Sequence, residues 1–300
     1  MPKKPTQLDL TTLLESWRLA LRAQKKSPHT IESYCTGVTL YIRWCELAGH
    51  TPRIDRTFTQ LFVAGLLEQG LADTTAYNRH NAVRLFTKWL VAEGELAADP
   101  LAGLAAPALD EKLTDPLTPD QQRALIQACT GRDFMARRDE AIVRFMLQTM
   151  ARAREVVGML TAETHIADGT ALLRGKGGRE RLVPFGPATA LAIDRYLRIR
   201  RTHRLADSPK LWLGGKGRTF DYAGLYYSLN RRAEQAGIPD FHPHQLRHTG
   251  ADRWLDLGGS EGGLMTVGGW TTDRVMRRYI KRRSAVRALK EAQALNLDEF

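Results

Sequence analysis

The octapeptide His242-Pro243-His244-Gln245-Leu246-Arg247-His248-Thr249 places two basic side chains of different chemistry on one helical face. Proline suits the first turn of a helix, where its missing N–H is one that the helix leaves unpaired anyway. On a helix starting near Pro243, His244 and Arg247 stand three apart and can meet one phosphate together. His244 and His248, four apart, also have half the spacing of a zinc site. Gln245 stands where such a motif needs glutamate, and no cysteine lies nearby, so no metal is expected there. His248 is read as a histidine packed in the core or behind its neighbours.

Three further stretches lie around this one. Upstream, in Thr149-Met150-Ala151-Arg152-Ala153-Arg154-Glu155-Val156-Val157, an apolar helix is followed by two arginines and a carboxylate. Arginine binds phosphate through two parallel hydrogen bonds, and an adjacent glutamate can hold the fork; taken alone, the trio is an ordinary solvated ion pair. Between the two stretches, strand candidates Ala171–Leu173 and Arg181–Val183 flank Gly175-Lys176-Gly177-Gly178, a hairpin signal. Lysines on such turns mostly face water, though a raised one can reach into a groove. Downstream runs Gly268-Gly269-Trp270-Thr271-Thr272-Asp273-Arg274-Val275-Met276-Arg277-Arg278-Tyr279, whose tyrosine beside arginines is by itself an amphipathic surface residue.

The rest of the chain divides in two. Leu10, Leu13, Leu14, Trp17 and Leu21 mark one helix. Ser27-Pro28 opens a second, with Ile31, Tyr34, Cys35, Val38, Ile42 and Cys45 on one face and Gly49 at its end. A shorter helix around Phe58 to Leu67 and one from Asp73 to Glu93 complete a four- or five-helix unit. Pro100, Pro107 and Pro116 then punctuate a stretch without amphipathic period, and Thr118-Pro119-Asp120-Gln121 reopens helix with a capping box. The expected organisation is a helical unit over 1–107, a linker over 108–117 and a second unit over 118–300.

Length and composition agree. With 300 residues, 43% hydrophobic and 26% charged, the chain can bury two cores. Residues 1–116 hold 13 basic and 13 acidic residues, so the whole +11 excess lies beyond them, the footprint of a surface that meets a polyanion. The strongest apolar run, Ala141 to Met150, is interrupted by Arg144 and Gln148, and no secretory h-region precedes Asp9 and Glu15. No membrane span is expected. Cys35, Cys45 and Cys129 have no paired spacing and are read as buried thiols of a cytoplasmic protein.

Together and in this order, the four stretches resemble the catalytic domain of the tyrosine site-specific recombinases, the phage integrase family. Arg152 with Glu155, Lys176 on the hairpin, His244 with Arg247, and Trp270 nine residues before Tyr279 occupy that family's pattern. The similarity extends through Gly175 to Pro184 and over the helical first unit, which resembles the family's core-binding domain. Three positions depart from it: Trp270 stands where the family most often has histidine, though its indole N–H still offers a donor. Met150 stands where the family commonly has glycine, and Arg154 where a small residue is common.

The resemblance implies a mainly α fold with a small β-hairpin or sheet. A SAM-like core-binding domain would be followed by a mixed α+β catalytic domain, the two clamping duplex DNA. It implies catalytic Arg152, Lys176, His244, Arg247, Trp270 and Tyr279, supported by Glu155 and His248. The phosphotyrosine link would conserve bond energy, so no cofactor, ATP or metal is expected. The implied partners are double-stranded DNA with inverted-repeat core sites, a homotetramer on that DNA, and accessory directionality factors. Residues 285–300, a short amphipathic helix candidate, would dock in a neighbouring protomer. A type IB topoisomerase and a non-catalytic DNA-binding protein are the rival readings. The first is disfavoured by the two-domain layout, the second by the complete set of polar residues.

Overall fold

Side-chain caps written into the sequence start three of the first four helices. Asp9 accepts from the backbone of Thr11 and Thr12 ahead of α1 (Leu10–Ala23). Ser27 caps α2 (Pro28–Leu47), and Asp55 caps α3 (Arg56–Glu68). The fourth, α4 (Asp73–Ala92), begins without a side-chain cap. The computed structural model describes residues 8–109, 115–175, 177–270 and 292. It divides into two compact units, Met1–Lys112 and Leu113–Phe300.

In the first unit the apolar stripes of the four helices close on Trp17, Val38, Tyr41, Phe62, Val83 and Phe86, all buried. Gly37 is where α2 crosses α4: a Cβ there would lie 2.5 Å from the Cβ of Ala82, so only glycine permits that approach. Leu101 and Leu104, beyond the last helix, pack into the same core.

The second unit is built around α6 (Phe134–Thr149), which is buried on nearly every face. Against it pack α5 (Pro119–Ala128), α8 (Pro187–Arg200), α9 (Tyr222–Gln235) and α10 (His244–Asp256). Short α7 (Ala153–Gly158) leads to an antiparallel sheet of β1 (Thr164–His165), β2 (Thr170–Arg174) and β3 (Glu180–Pro184). In it Leu172 pairs with Leu182, and Ala171 with Val183. The last described helix, α11 (Glu261–Gly268), follows α10. The end of the stretch read as linker is tied into this unit: Leu117 is buried and donates its backbone N–H to Thr249 on α10 at 2.9 Å. The Asp115 carbonyl accepts from Gln245. All three cysteines are buried free thiols. No described helix is long and apolar enough to cross a membrane.

A buried polar network fixes α9 on α6. Arg138 and Asp139 are each about 1% exposed, and Arg138 donates from Nε and Nη2 to Asp139 Oδ1. Ser228 and Arg232 of α9 donate to the same carboxylate, and Arg138 also reaches the Leu213 carbonyl. Desolvation of the two charges is offset only because nearly every donor is matched; removing one partner strands the rest. Asp139→Ala should therefore destabilise the second unit by about 3–5 kcal/mol, whereas Ser228→Ala should cost about 1–3 kcal/mol. Denaturant melts of both variants check this, and equal midpoints would mean that the carboxylate does not hold the network.

Candidate active site

The geometry of the site begins at the end of α6. Met150 terminates the helix in the left-handed conformation, with φ 55°. That conformation favours glycine, whose absence here is compensated by packing: the Met150 side chain is fully buried against Ala251, Leu255 and Leu264. The turn leads directly into α7, with Arg152 at its N-cap. Arginine cannot accept there as serine would, so the local hydrogen bond runs the other way. Glu155, at the third helical position, accepts the Arg152 backbone N–H at 2.7 Å.

Glu155 is 3% exposed and also accepts Arg152 Nη1 at 2.8 Å. Arg181 of β3 completes its shell with a parallel fork, Nη1 to Oε1 and Nη2 to Oε2, both 2.8 Å. Burial opposes the charge of this carboxylate, but the bonds from Arg181 and then Arg152 outweigh it and hold the pKa below the ordinary carboxylate value. Arg152 Nη2 donates to the Gly269 carbonyl at 2.9 Å, and its side chain remains 42% exposed, with a face open to a ligand.

Arg247 reaches the same place from α10. It is 1% exposed, donates from Nη1 to the Met150 carbonyl, and lies 4.1 Å from the centroid of the Trp270 ring. Gly250, one turn on, lets α10 press on the end of α6: a Cβ there would lie 2.5 Å from the Leu147 carbonyl oxygen. His244 opens α10, exposed at the rim, and its ring meets that of His248 edge to face at 4.5 Å. No third His, Cys, Asp or Glu among the described residues joins that pair in a metal-binding group.

The structure thus gathers Arg152, Glu155, Arg247 and Trp270 through direct contacts, with His244 and His248 on the same helix as Arg247. Arg154 points elsewhere; it is exposed, with its guanidinium 5.5 Å from the Tyr222 ring on α9. Lys176 and Tyr279 lie outside the described residues, as does the carboxy-terminal amphipathic segment apart from Ala292. The base of the hairpin is described: Gly175 donates to the Arg179 carbonyl at 2.7 Å, and a Cβ on Gly175 would lie 3.3 Å from Glu155 Oε1. Arg181 is the residue that sequence reading passed over. It was legible only as a strand position, because nothing local signals a partner 26 residues away.

Residues 116–285 match the model of the phage integrase family, and residues 14–94 that of the phage integrase N-terminal SAM-like domain. The chain belongs to the phage integrase family; it is a tyrosine recombinase. Tyrosine recombinase XerC of Pseudomonas fluorescens is 28% identical over 246 residues, 81% of this chain and 82% of that one. The XerC of Pseudomonas aeruginosa strain PAO1 is 29% identical over 258 residues, covering 84% and 82%. The fold of this recombinase is shared with XerH bound to palindromic difH substrate, at TM-score 0.75 and 18% identity over 94% of this chain and 83% of that one. A lambda integrase dimer bound to a COC' core site aligns at TM-score 0.72 and 15% identity, over 92% and 78%.

The tyrosine recombinase carries an unusual histidine. The protein packed around His244 lowers its pKa from 6.5 to about 4, helped by the positive neighbours His248, Arg247, His242 and Arg152. The folded protein binds fewer protons than the unfolded chain between those values. This contribution to stability is complete above pH 6.5 and is lost as pH falls toward 4. The His244 ring resonance should titrate near 4 in the DNA-free protein by NMR, and DNA phosphate should move the midpoint upward. A DNA-free midpoint at 6.5 would mean that neither the surrounding protein nor the cationic neighbours act on the ring.

Proposed function

We propose that this recombinase cleaves and rejoins DNA strands through a 3'-phosphotyrosine made by Tyr279, with Arg152, Lys176, His244, Arg247 and Trp270 as the other catalytic residues. The observation that carries the reading is the convergence of three distant segments. Arg247 bonds the carbonyl of Met150, two residues before Arg152. It also stacks on Trp270, the residue after the Gly269 carbonyl that Arg152 grips.

A phosphodiester is an anion that resists attack, and its alkoxide is a poor leaving group. Arg152 and Arg247, with His244 and the indole N–H of Trp270, bind the nonbridging oxygens and neutralise charge that builds in the pentavalent transition state. The Tyr279 oxygen bonds to phosphorus as the bond to the 5' oxygen breaks. The phenol has an ordinary pKa of about 10, so roughly one molecule in a thousand is ionised at pH 7. His244, neutral at that pH, takes the phenolic proton, and its proton affinity rises as negative charge grows on the phosphate beside it. Lys176 gives a proton to the departing 5' oxygen. Glu155 aims Arg152, and His248 orients the His244 ring. Attack by a partner strand's 5' hydroxyl reverses these steps and regenerates Tyr279, so the bond energy is kept in the link.

The helical unit, 1–107, and the catalytic unit, 118–300, joined by 108–117, each bind the duplex. A homotetramer assembles on two inverted-repeat core sites, since exchange needs four nucleophiles at one synapse. Whether integration, excision or resolution results follows from how the two sites are arranged on the DNA. The protein acts in the cytoplasm on nucleoid DNA, with accessory proteins setting direction.

Tyr279→Phe should bind a core site with near-normal affinity yet leave no covalent adduct on a denaturing gel; an adduct in the Phe variant removes Tyr279 from the mechanism. Lys176→Ala should slow single-turnover cleavage by a factor of about 10² to 10⁴ on ordinary DNA. On a 5'-bridging phosphorothiolate, whose thiolate leaves without a proton, it should cleave nearly as fast as the unmodified enzyme. An equal defect on both substrates would reassign Lys176 to phosphate binding.

A further inference from the structure

Arg181 stands apart from the catalytic arginines. Its side chain is 12% exposed, and its donors face the protein: the fork closes on both oxygens of Glu155, and Nε donates to the Val267 carbonyl at 2.8 Å. With Arg152 the carboxylate accepts four hydrogen bonds, all that its two oxygens hold. The guanidinium also lies against the turn at Gly269, where φ is 65° and a Cβ would come within 2.8 Å of Arg181 Nη1. Two adjacent parts of the site therefore end on one side chain. One is β3, whose hairpin carries Lys176. The other is the turn from Val267 to Gly269, which positions Trp270 and presents the carbonyl that Arg152 grips.

We infer that Arg181 is a positioning residue for strand cleavage, a clasp that joins the Lys176 hairpin and the Trp270 turn to the carboxylate that aims Arg152. This rests on the function proposed above. Arg181 is assigned no phosphate, because three of its five N–H groups are committed to the protein and its side chain is only 12% exposed, against 42% for Arg152. Lysine cannot replace it, since an ammonium makes no planar fork and cannot reach both carboxylate oxygens and a carbonyl on opposite edges. The arrangement also has a titration signature. The charged groups bonded to Glu155 are Arg152 from its own turn and Arg181 from β3. Without Arg181, burial is opposed by Arg152 alone, so Glu155 takes up a proton at higher pH and Arg152 loses its anchor.

The experiment uses the full chain with nicked core-site DNA that traps the covalent adduct, comparing the unmodified protein with Arg181→Ala, Arg181→Lys and Arg181→Ala/Glu155→Gln. Arg181→Lys keeps the charge and serves if Arg181→Ala does not fold, as judged by circular dichroism. The expected result is DNA affinity within about twofold and adduct formation slowed about 10- to 100-fold, the scale of a misplaced catalytic group. As pH is lowered, the Arg181→Ala rate should fall further than that of the double variant, which keeps the His244 titration but has no carboxyl at position 155 to protonate. Three results overturn the inference: cleavage at the unmodified rate in Arg181→Lys, a loss confined to DNA affinity, or an Arg181→Ala rate with the same pH dependence as the double variant. An unmodified protein that forms no adduct would instead refute the proposed function and leave no cleavage to position.

Discussion

The carboxylate of Glu155 is the constraint on which the site depends. A buried charge of this kind costs several kcal/mol to desolvate unless its oxygens are filled, and here both are filled by arginines from different parts of the chain. Because one of those arginines is Arg152, meeting the cost of burial and fixing the Arg152 guanidinium become the same act. The local reason lies in helix geometry: with arginine at the N-cap of α7, a glutamate three residues on supplies the acceptor that the cap lacks.

Outward from that point the structure trades one uncommon feature against another. Met150 sits in a left-handed conformation at the end of α6, held by its buried side chain, and its carbonyl is thereby aimed at Arg247. The indole of Trp270 covers the same guanidinium. Its position depends on the two glycines before it, since a Cβ on Gly268 would collide with the indole and one on Gly269 with Arg181. The surrounding protein and then the cationic neighbours hold the pKa of His244 down to about 4, so the ring is neutral at pH 7. The rest of the second unit is a rigid mount for these contacts. In it α6 is gripped on one side by the Arg138–Asp139–Ser228–Arg232 network and on another by α10 through Gly250.

By itself the sequence determined the helices whose caps and apolar stripes are local, such as those opened by Ser27-Pro28 and Thr118-Pro119-Asp120-Gln121. It determined the hairpin around Gly175 to Gly178 as well, where glycines 177 and 178 both take positive φ. The family was legible from the order and spacing of Arg152, Glu155, Lys176, His244, Arg247, Trp270 and Tyr279, which survive any rearrangement of loops. Strand β1, only two residues long, carried no periodicity to read. Tertiary structure alone decided that Met150 would be left-handed, that Arg154 would turn away to Tyr222 while Arg152 turned in, and that Arg181, on the inward face of β3 with Val183, would fork Glu155. The reason is common to all three. Propensity acts over a few residues, whereas the partner of a buried charge is chosen by which donors the packed core brings within 3 Å, and those donors come from anywhere in the chain.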